Sequence, residues 1–167
     1  MPTTQTTVLV LCTGNSCRSI LAEVLINELG QGRFRAFSAG SQPAGKVNAG
    51  AIRKLAAEGH GTDGLESKSW DLFSGAGVPE IDIVITVCDS AAGESCPVWY
   101  GSPITVHWGI PDPADASPED ADAAFDLAYR QLRSRIEAMI ELPLGSLDER
   151  NTIDALNRIH DAAWKLQ

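Results

Sequence analysis

Cys12 and Arg18 stand with five residues between them in Cys-Thr-Gly-Asn-Ser-Cys-Arg-Ser, residues 12–19. A cysteine thiolate is a nucleophile, and a guanidinium forks onto two oxygens of a tetrahedral oxyanion. The residues between them are small or polar: Thr13, Gly14, Asn15, Ser16 and Cys17. Gly14 lets the backbone curl without a Cβ clash, so that N–H groups can turn inward toward an anion. Asn15 is placed to hold the loop through side-chain bonds to backbone, and Ser19 to hydrogen-bond the thiolate. The chemistry predicted for 12–19 is an oxyanion held directly against a sulfur nucleophile. It differs from a nucleoside-triphosphate loop, because Gly-Lys-Ser/Thr is missing.

Three further residues bear on that chemistry. Cys88 and Cys96 bracket a segment rich in Ala, Gly and Ser, and Asp112 lies between Pro111 and Pro113. A thiol pair can carry two electrons, and a carboxyl on a Pro-braced loop can protonate a leaving oxygen. Cys17 either packs or traps oxidised Cys12 as a reversible disulfide.

The elements that position these residues follow from hydrophobic period. The apolar run 8–11 predicts a buried strand. Ile20, Leu21, Val24, Leu25 and Leu29 predict a helix that stops at Gly30. Residues 12–19 therefore join a strand end to a helix N-terminus, a natural anion site. Cys12 is expected to ionise readily there, favoured by the helix end and Arg18. A second strand is predicted over 33–38 and a helix over 47–58, with Ile52, Leu55 and Ala56 inward. A short helix capped by Ser69 follows over 69–74, then strands over 81–87 and 104–107. Ser117-Pro118-Glu119 predicts a helix start, running to about Leu142. Ser146 to Glu149 has the pattern of a capping box, opening a last helix with Ile153, Leu156, Ile159 and Ala163.

This order predicts an α/β fold: a single-domain four-stranded parallel sheet with helices on both faces. Residues 1–145 are expected to form the domain, and 146–167 a helical extension packed on it. Ligands of such sheets bind beyond the carboxyl ends of the strands. Cys12 follows the first strand, Cys88 the third and Asp112 the fourth, so topology alone brings all three to one edge.

The whole chain narrows the partners. Its net charge of −9 argues against nucleic acid and acidic membranes. No apolar run reaches a membrane span, and residues 1–7 lack the pattern of a signal peptide, so a cytoplasmic location is expected. In that compartment four cysteines are catalytic, redox-active or metal-binding rather than a static disulfide framework. Their spacing disfavours zinc.

Residues 12–19 resemble the phosphate-binding loop of the low-molecular-weight protein tyrosine phosphatase superfamily. In the form found here they resemble its arsenate reductase branch. His107-Trp108-Gly109 and Asp112-Pro113 extend the resemblance, which covers most of 8 to about 142. Ala114 stands where the phosphatases usually carry an aromatic residue, and 41–50 contains no aromatic to grip a phenol ring.

The resemblance implies an α/β fold of that family and reduction of arsenate to arsenite. Cys12 attacks arsenate, with Thr13, Gly14, Asn15, Ser16, Cys17, Arg18 and Ser19 around the oxyanion and Asp112 as acid. Cys88 then attacks Cys12, and Cys96 moves the disulfide outward. It further implies an external thiol reductant, thioredoxin or glutathione with glutaredoxin, and no tightly bound cofactor. Phosphate and sulfate are the competing oxyanions. Some relatives bind potassium beside the loop, and Asn15, Glu23, Ser38 and Asp71 are the matching positions. A tyrosine phosphatase on the same fold is the alternative reading. A non-catalytic thiol redox sensor or metal-binding protein is a further one.

Overall fold

In the computed structural model, residues 5–74, 78–88 and 103–164 are described. The elements run β1 (Thr6–Leu11), α1 (Arg18–Leu29), β2 (Phe34–Ala39), α2 (Ala49–Ala57), a 3₁₀ turn (Trp70–Phe73), β3 (Ile83–Thr86) and β4 (Ile104–His107). A second 3₁₀ turn (Pro113–Asp115) precedes α3 (Ala121–Ile140), and a third (Leu144–Ser146) precedes α4 (Glu149–Trp164).

The four strands form one sheet in the order β2-β1-β3-β4. Every pair is parallel, with Val8 opposite Ala36 on one side and Ile83 on the other, and Ile83 opposite Ile104. The fold is the expected α/β sheet. Alternation along β1 sends Val8 and Val10 into a core shared with α1, α2, α3 and Leu156 of α4. Leu9 and Leu11 face the other way, onto Phe73, Ile81 and Val84, where Trp70 packs partly buried. Helical elements therefore cover both faces: the four described α-helices on one, the Trp70–Phe73 turn on the other.

Several boundaries differ from the sequence reading, each for a local reason. β1 begins at Thr6, whose N–H bonds Arg33 O at 2.9 Å. In α2, Gly50, Ala51 and Leu55 face inward, whereas Ile52 and Ala56 are exposed. The face turns because Phe125 of α3 presses on Gly50, where a Cβ would lie 2.5 Å from the ring. Ser117 does not cap α3; its hydroxyl donates to Asp120 Oδ2 at 3.1 Å and the helix starts after Asp120. Ser146 falls within a 3₁₀ turn, and Asp148 receives the Asn151 N–H at 2.8 Å as the cap of α4. Ser69 does cap its turn, accepting from Asp71 N at 3.1 Å.

The last helix packs on β4 and α3. Leu156 is fully buried, and its carbonyl accepts the indole N–H of Trp108 at 3.0 Å. None of the helices among the described residues is long and apolar enough to cross a membrane.

Candidate active site

Residues 12–17 cross from the end of β1 to the start of α1. Their carbonyls are held on the outside of the turn. Thr13 O accepts from Gln42 N at 3.0 Å, Gly14 O from Ala44 N at 2.9 Å and Ser16 O from Asn48 N at 2.9 Å. In a trans peptide the N–H points opposite to the C=O, so the amides that follow these carbonyls turn toward the inside. Asn15 adopts the left-handed region at φ 44°, which Asn tolerates better than most side chains. It is fully buried, accepts the Lys68 N–H on Oδ1 at 2.8 Å, and donates from Nδ2 to Ser19 Oγ at 2.9 Å.

Gly40 closes the outside of the turn. A Cβ there would lie 2.5 Å from Cys12 O and 2.3 Å from Thr13 O. Only a residue without a side chain lets β2 and the loop approach this closely.

The inside of the turn opens on a pocket of about 220 Å³ lined by Cys12, Thr13, Gly14, Ser16, Cys17, Arg18, Cys88 and Asp112. The structure thus brings residues from the ends of β1, β3 and β4 to one rim. Arg18 is tethered from both sides: Nη1 donates to Ile110 O at 3.0 Å, and Nη2 lies 3.3 Å from Asp112 Oδ2. Its Nε is buried and has no hydrogen-bond partner among the described residues. A buried guanidinium N–H left open at a rim of inward amides is a donor waiting for an anion. The other Asp112 oxygen accepts from Ala114 N at 3.0 Å, which fixes the carboxylate over the 3₁₀ turn.

The sulfurs behave differently from expectation. Cys88 Sγ accepts the Thr13 N–H at 3.3 Å, and Cys88 lines the same pocket as Cys12. Both cysteines are almost fully buried. Cys88 is the main influence pushing the Cys12 thiol up, with burial second; Arg18 and the Gly14 N–H pull the other way. Instead of a freely ionised Cys12, the resting site holds two neighbouring sulfurs for which a second negative charge is disfavoured. Burial also pushes the Cys17 thiol up, and it packs in the core. Ser19 does not bond the Cys12 sulfur; its hydroxyl faces Asn15. Cys96 falls in 89–102, outside the described residues. His107 meets Thr86 Oγ1 at 2.7 Å.

The positions expected to hold potassium do not fit that ion. Both ends of the Asn15 amide are engaged. Ser38 Oγ donates to Glu23 Oε1 at 3.0 Å, and the ammonium of Lys68 lies 3.5 Å from the same oxygen. Asp71 is exposed at the surface. A cation placed among these groups would sit against a positive charge already there. Among the described residues there is also no group of three or more His, Cys, Asp or Glu suited to a metal.

Sequence reasoning missed Gly40, Ser67, Lys68 and Ile110, as well as the Gln42, Ala44 and Asn48 main-chain donors. Ser67 Oγ donates to Gly14 O at 3.1 Å, and the others act through close approach or main chain. The Gly closing the second strand was the one visible signal; Ser67 and Lys68 sit in a polar stretch whose pattern says only loop.

Comparisons with known proteins agree with this geometry. Residues 7–152 match the sequence profile of the family described as "Low molecular weight phosphotyrosine protein phosphatase". An arsenate reductase of Halalkalibacterium halodurans is 34% identical over 133 residues, covering 78% of this chain and 92% of that protein. One from Bacillus subtilis is 30% identical over 133 residues, with the same coverage of 78% and 92%. A solved structure described as an arsenate reductase in the phosphate binding state superposes with a TM-score of 0.63 at 26% identity, covering 79% of this chain and 97% of that one.

Proposed function

The chain belongs to the low molecular weight phosphotyrosine protein phosphatase family, and from that premise we propose that it reduces arsenate to arsenite with electrons drawn from its own thiols. The observation that carries the reading is Cys88, a second buried thiol lining the oxyanion pocket with Cys12. A phosphatase needs one thiolate and exchanges no electrons. Two thiols in one pocket can give up an electron pair as they join.

The proposed sequence balances as follows. Arsenate lies in the loop, its oxygens on the inward amides and on Arg18 Nε. The Cys12 thiol gives its proton to the Asp112 carboxylate on the same rim as its sulfur attacks arsenic, a Cys12–arsenic bond forms, and an arsenate oxygen takes up that proton and leaves as water. Asp112 stands at the rim, 3.3 Å from Arg18, where it can supply a proton to that oxygen. The Cys88 thiolate then attacks the Cys12 sulfur. The sulfur–arsenic bond breaks with its electron pair going to arsenic, so arsenic(V) becomes arsenic(III) and leaves as arsenite. Two thiols are oxidised to a Cys12–Cys88 disulfide.

Cys96 is the proposed resolving thiol, attacking Cys88 to give a Cys88–Cys96 disulfide and freeing Cys12. An external dithiol of the thioredoxin type, or glutathione with glutaredoxin, then restores both cysteines. No tightly bound cofactor is required. Such a cycle belongs in a reducing compartment, and we place it in the cytoplasm.

The test is arsenate-dependent NADPH oxidation through a thioredoxin or glutaredoxin system. Cys12→Ser and Cys88→Ser should each lose turnover by about 10²-fold or more. Full turnover in Cys88→Ser overturns the reading. Cys96→Ser separates the reductants: its loss of activity implicates the outward disulfide, and its survival implicates a small thiol acting directly on Cys12–Cys88.

A further inference from the structure

We propose that Lys68 is a built-in replacement for a monovalent cation behind the oxyanion loop, so that the loop is set without any added ion. The Lys68 ammonium lies 3.5 Å from Glu23 Oε1 and donates to Glu66 O at 3.2 Å. Both charged side chains are largely shielded, at 18% and 13% exposure for Lys68 and Glu23. Glu23 is carried by α1, five residues on from Arg18, and also accepts from Ser38 Oγ on β2. A carboxylate in that position needs a positive partner, because burying it alone is costly. Lys68 supplies the charge from within the chain.

The same residue reaches the loop through its backbone. Lys68 N donates to Asn15 Oδ1 at 2.8 Å, and Gly40 N donates to Lys68 O at 2.9 Å. Residue 68 thus links α1 through its side chain to Asn15, the left-handed corner of the loop, and to Gly40, which backs Cys12 and Thr13. The ammonium neutralises Glu23 and fixes the segment whose N–H sets the Asn15 side chain. Lys68 touches no reacting atom; it is a positioning residue acting through Asn15.

The inference rests on residues 12–18 being an oxyanion cradle, and not on arsenate turnover. It is therefore tested with inorganic phosphate as the probe, by calorimetric binding and by melting temperature. Chloride salts of potassium, sodium and tetramethylammonium are compared at one ionic strength. Wild type should show the same phosphate Kd and Tm in all three. Lys68→Met should bind phosphate about fivefold or more weakly in tetramethylammonium, and potassium or sodium should recover the loss. Lys68→Arg, which keeps the charge, should stay cation-independent.

A selective rise in wild-type Tm or phosphate affinity with potassium overturns the proposal, and this measurement needs no variant to fold. So does a Lys68→Met protein that matches wild type without potassium, or one whose lost affinity neither cation restores. Failure of phosphate to bind wild type at all would instead strike the cradle itself, and the proposal with it. Loss of arsenate turnover with normal phosphate binding would leave the cation result standing and strike the reductase reading alone.

Discussion

At the scale of single residues, the site is governed by two thiols that share one pocket. Cys88 is the largest influence holding the Cys12 thiol up, and Arg18 and the Gly14 N–H oppose it. Removing Cys88 therefore removes the leading cause of the raised value. The sign follows directly: a lower pKa gives a larger thiolate fraction at a given pH. Cys88→Ala should shift the pH midpoint of Cys12 alkylation downward, read by mass spectrometry after timed iodoacetamide labelling over a pH series that extends well above 9. An unchanged midpoint would mean that burial, and not the neighbouring sulfur, controls Cys12. The same variant should still hydrolyse a chromogenic aryl phosphate, because Cys12, Arg18 and Asp112 remain at the rim. Cys88 accepts an N–H from Thr13 in the resting site, so one main-chain donor ties the second thiol to the loop that carries Cys12.

At the scale of elements, the loop is shaped from outside by segments that carry no chemistry. Residues 42–48 take up its carbonyls, and 67–68 meet Gly14 and Asn15. Gly40 is the tightest point, with two loop carbonyl oxygens within 2.5 Å of where a Cβ would stand. Those atoms are backbone and cannot rotate away. Gly40→Ala should destabilise the protein by about 1–3 kcal/mol, the usual range for overpacking, and weaken phosphate binding by displacing Cys12 and Thr13. Urea unfolding and phosphate titration measure the two effects. Wild-type phosphate affinity in a Gly40→Ala protein would show that the loop is set from elsewhere.

At the scale of the whole molecule, the last helix supports the rim from behind. Trp108 is 1% exposed and donates to the Leu156 carbonyl. Its own N–H bonds Thr86 O at 2.7 Å, and Ile110 N bonds Val87 O at 3.2 Å, just before the segment that presents Asp112. The packing of α4 therefore reaches the acid loop through β4. Leu156→Ala should cost about 2–5 kcal/mol, as buried leucine truncations do, seen as a lower urea midpoint. Catalytic loss beyond the unfolded fraction would indicate that the Asp112 loop has moved too. The net charge of −9 acts at this scale as well. It opposes long-range capture of an anion, so the pocket must bind through short-range amides and Arg18.

The sequence by itself determined the strand–loop–helix around Cys12, the parallel alternation and the meeting of Cys12, Cys88 and Asp112 at one edge. Those follow from hydrophobic period and from the rule that parallel strands end together. Helix faces and caps were less legible. Ile52 is exposed because Gly50 receives Phe125, and Asp148 rather than Ser146 begins α4. Tertiary structure alone decided the raised Cys12 thiol and the pairing of Lys68 with Glu23. Both depend on distances between residues remote in sequence. Charge and hydrogen-bond energies change over a few ångströms, which no pattern of residue types along the chain encodes.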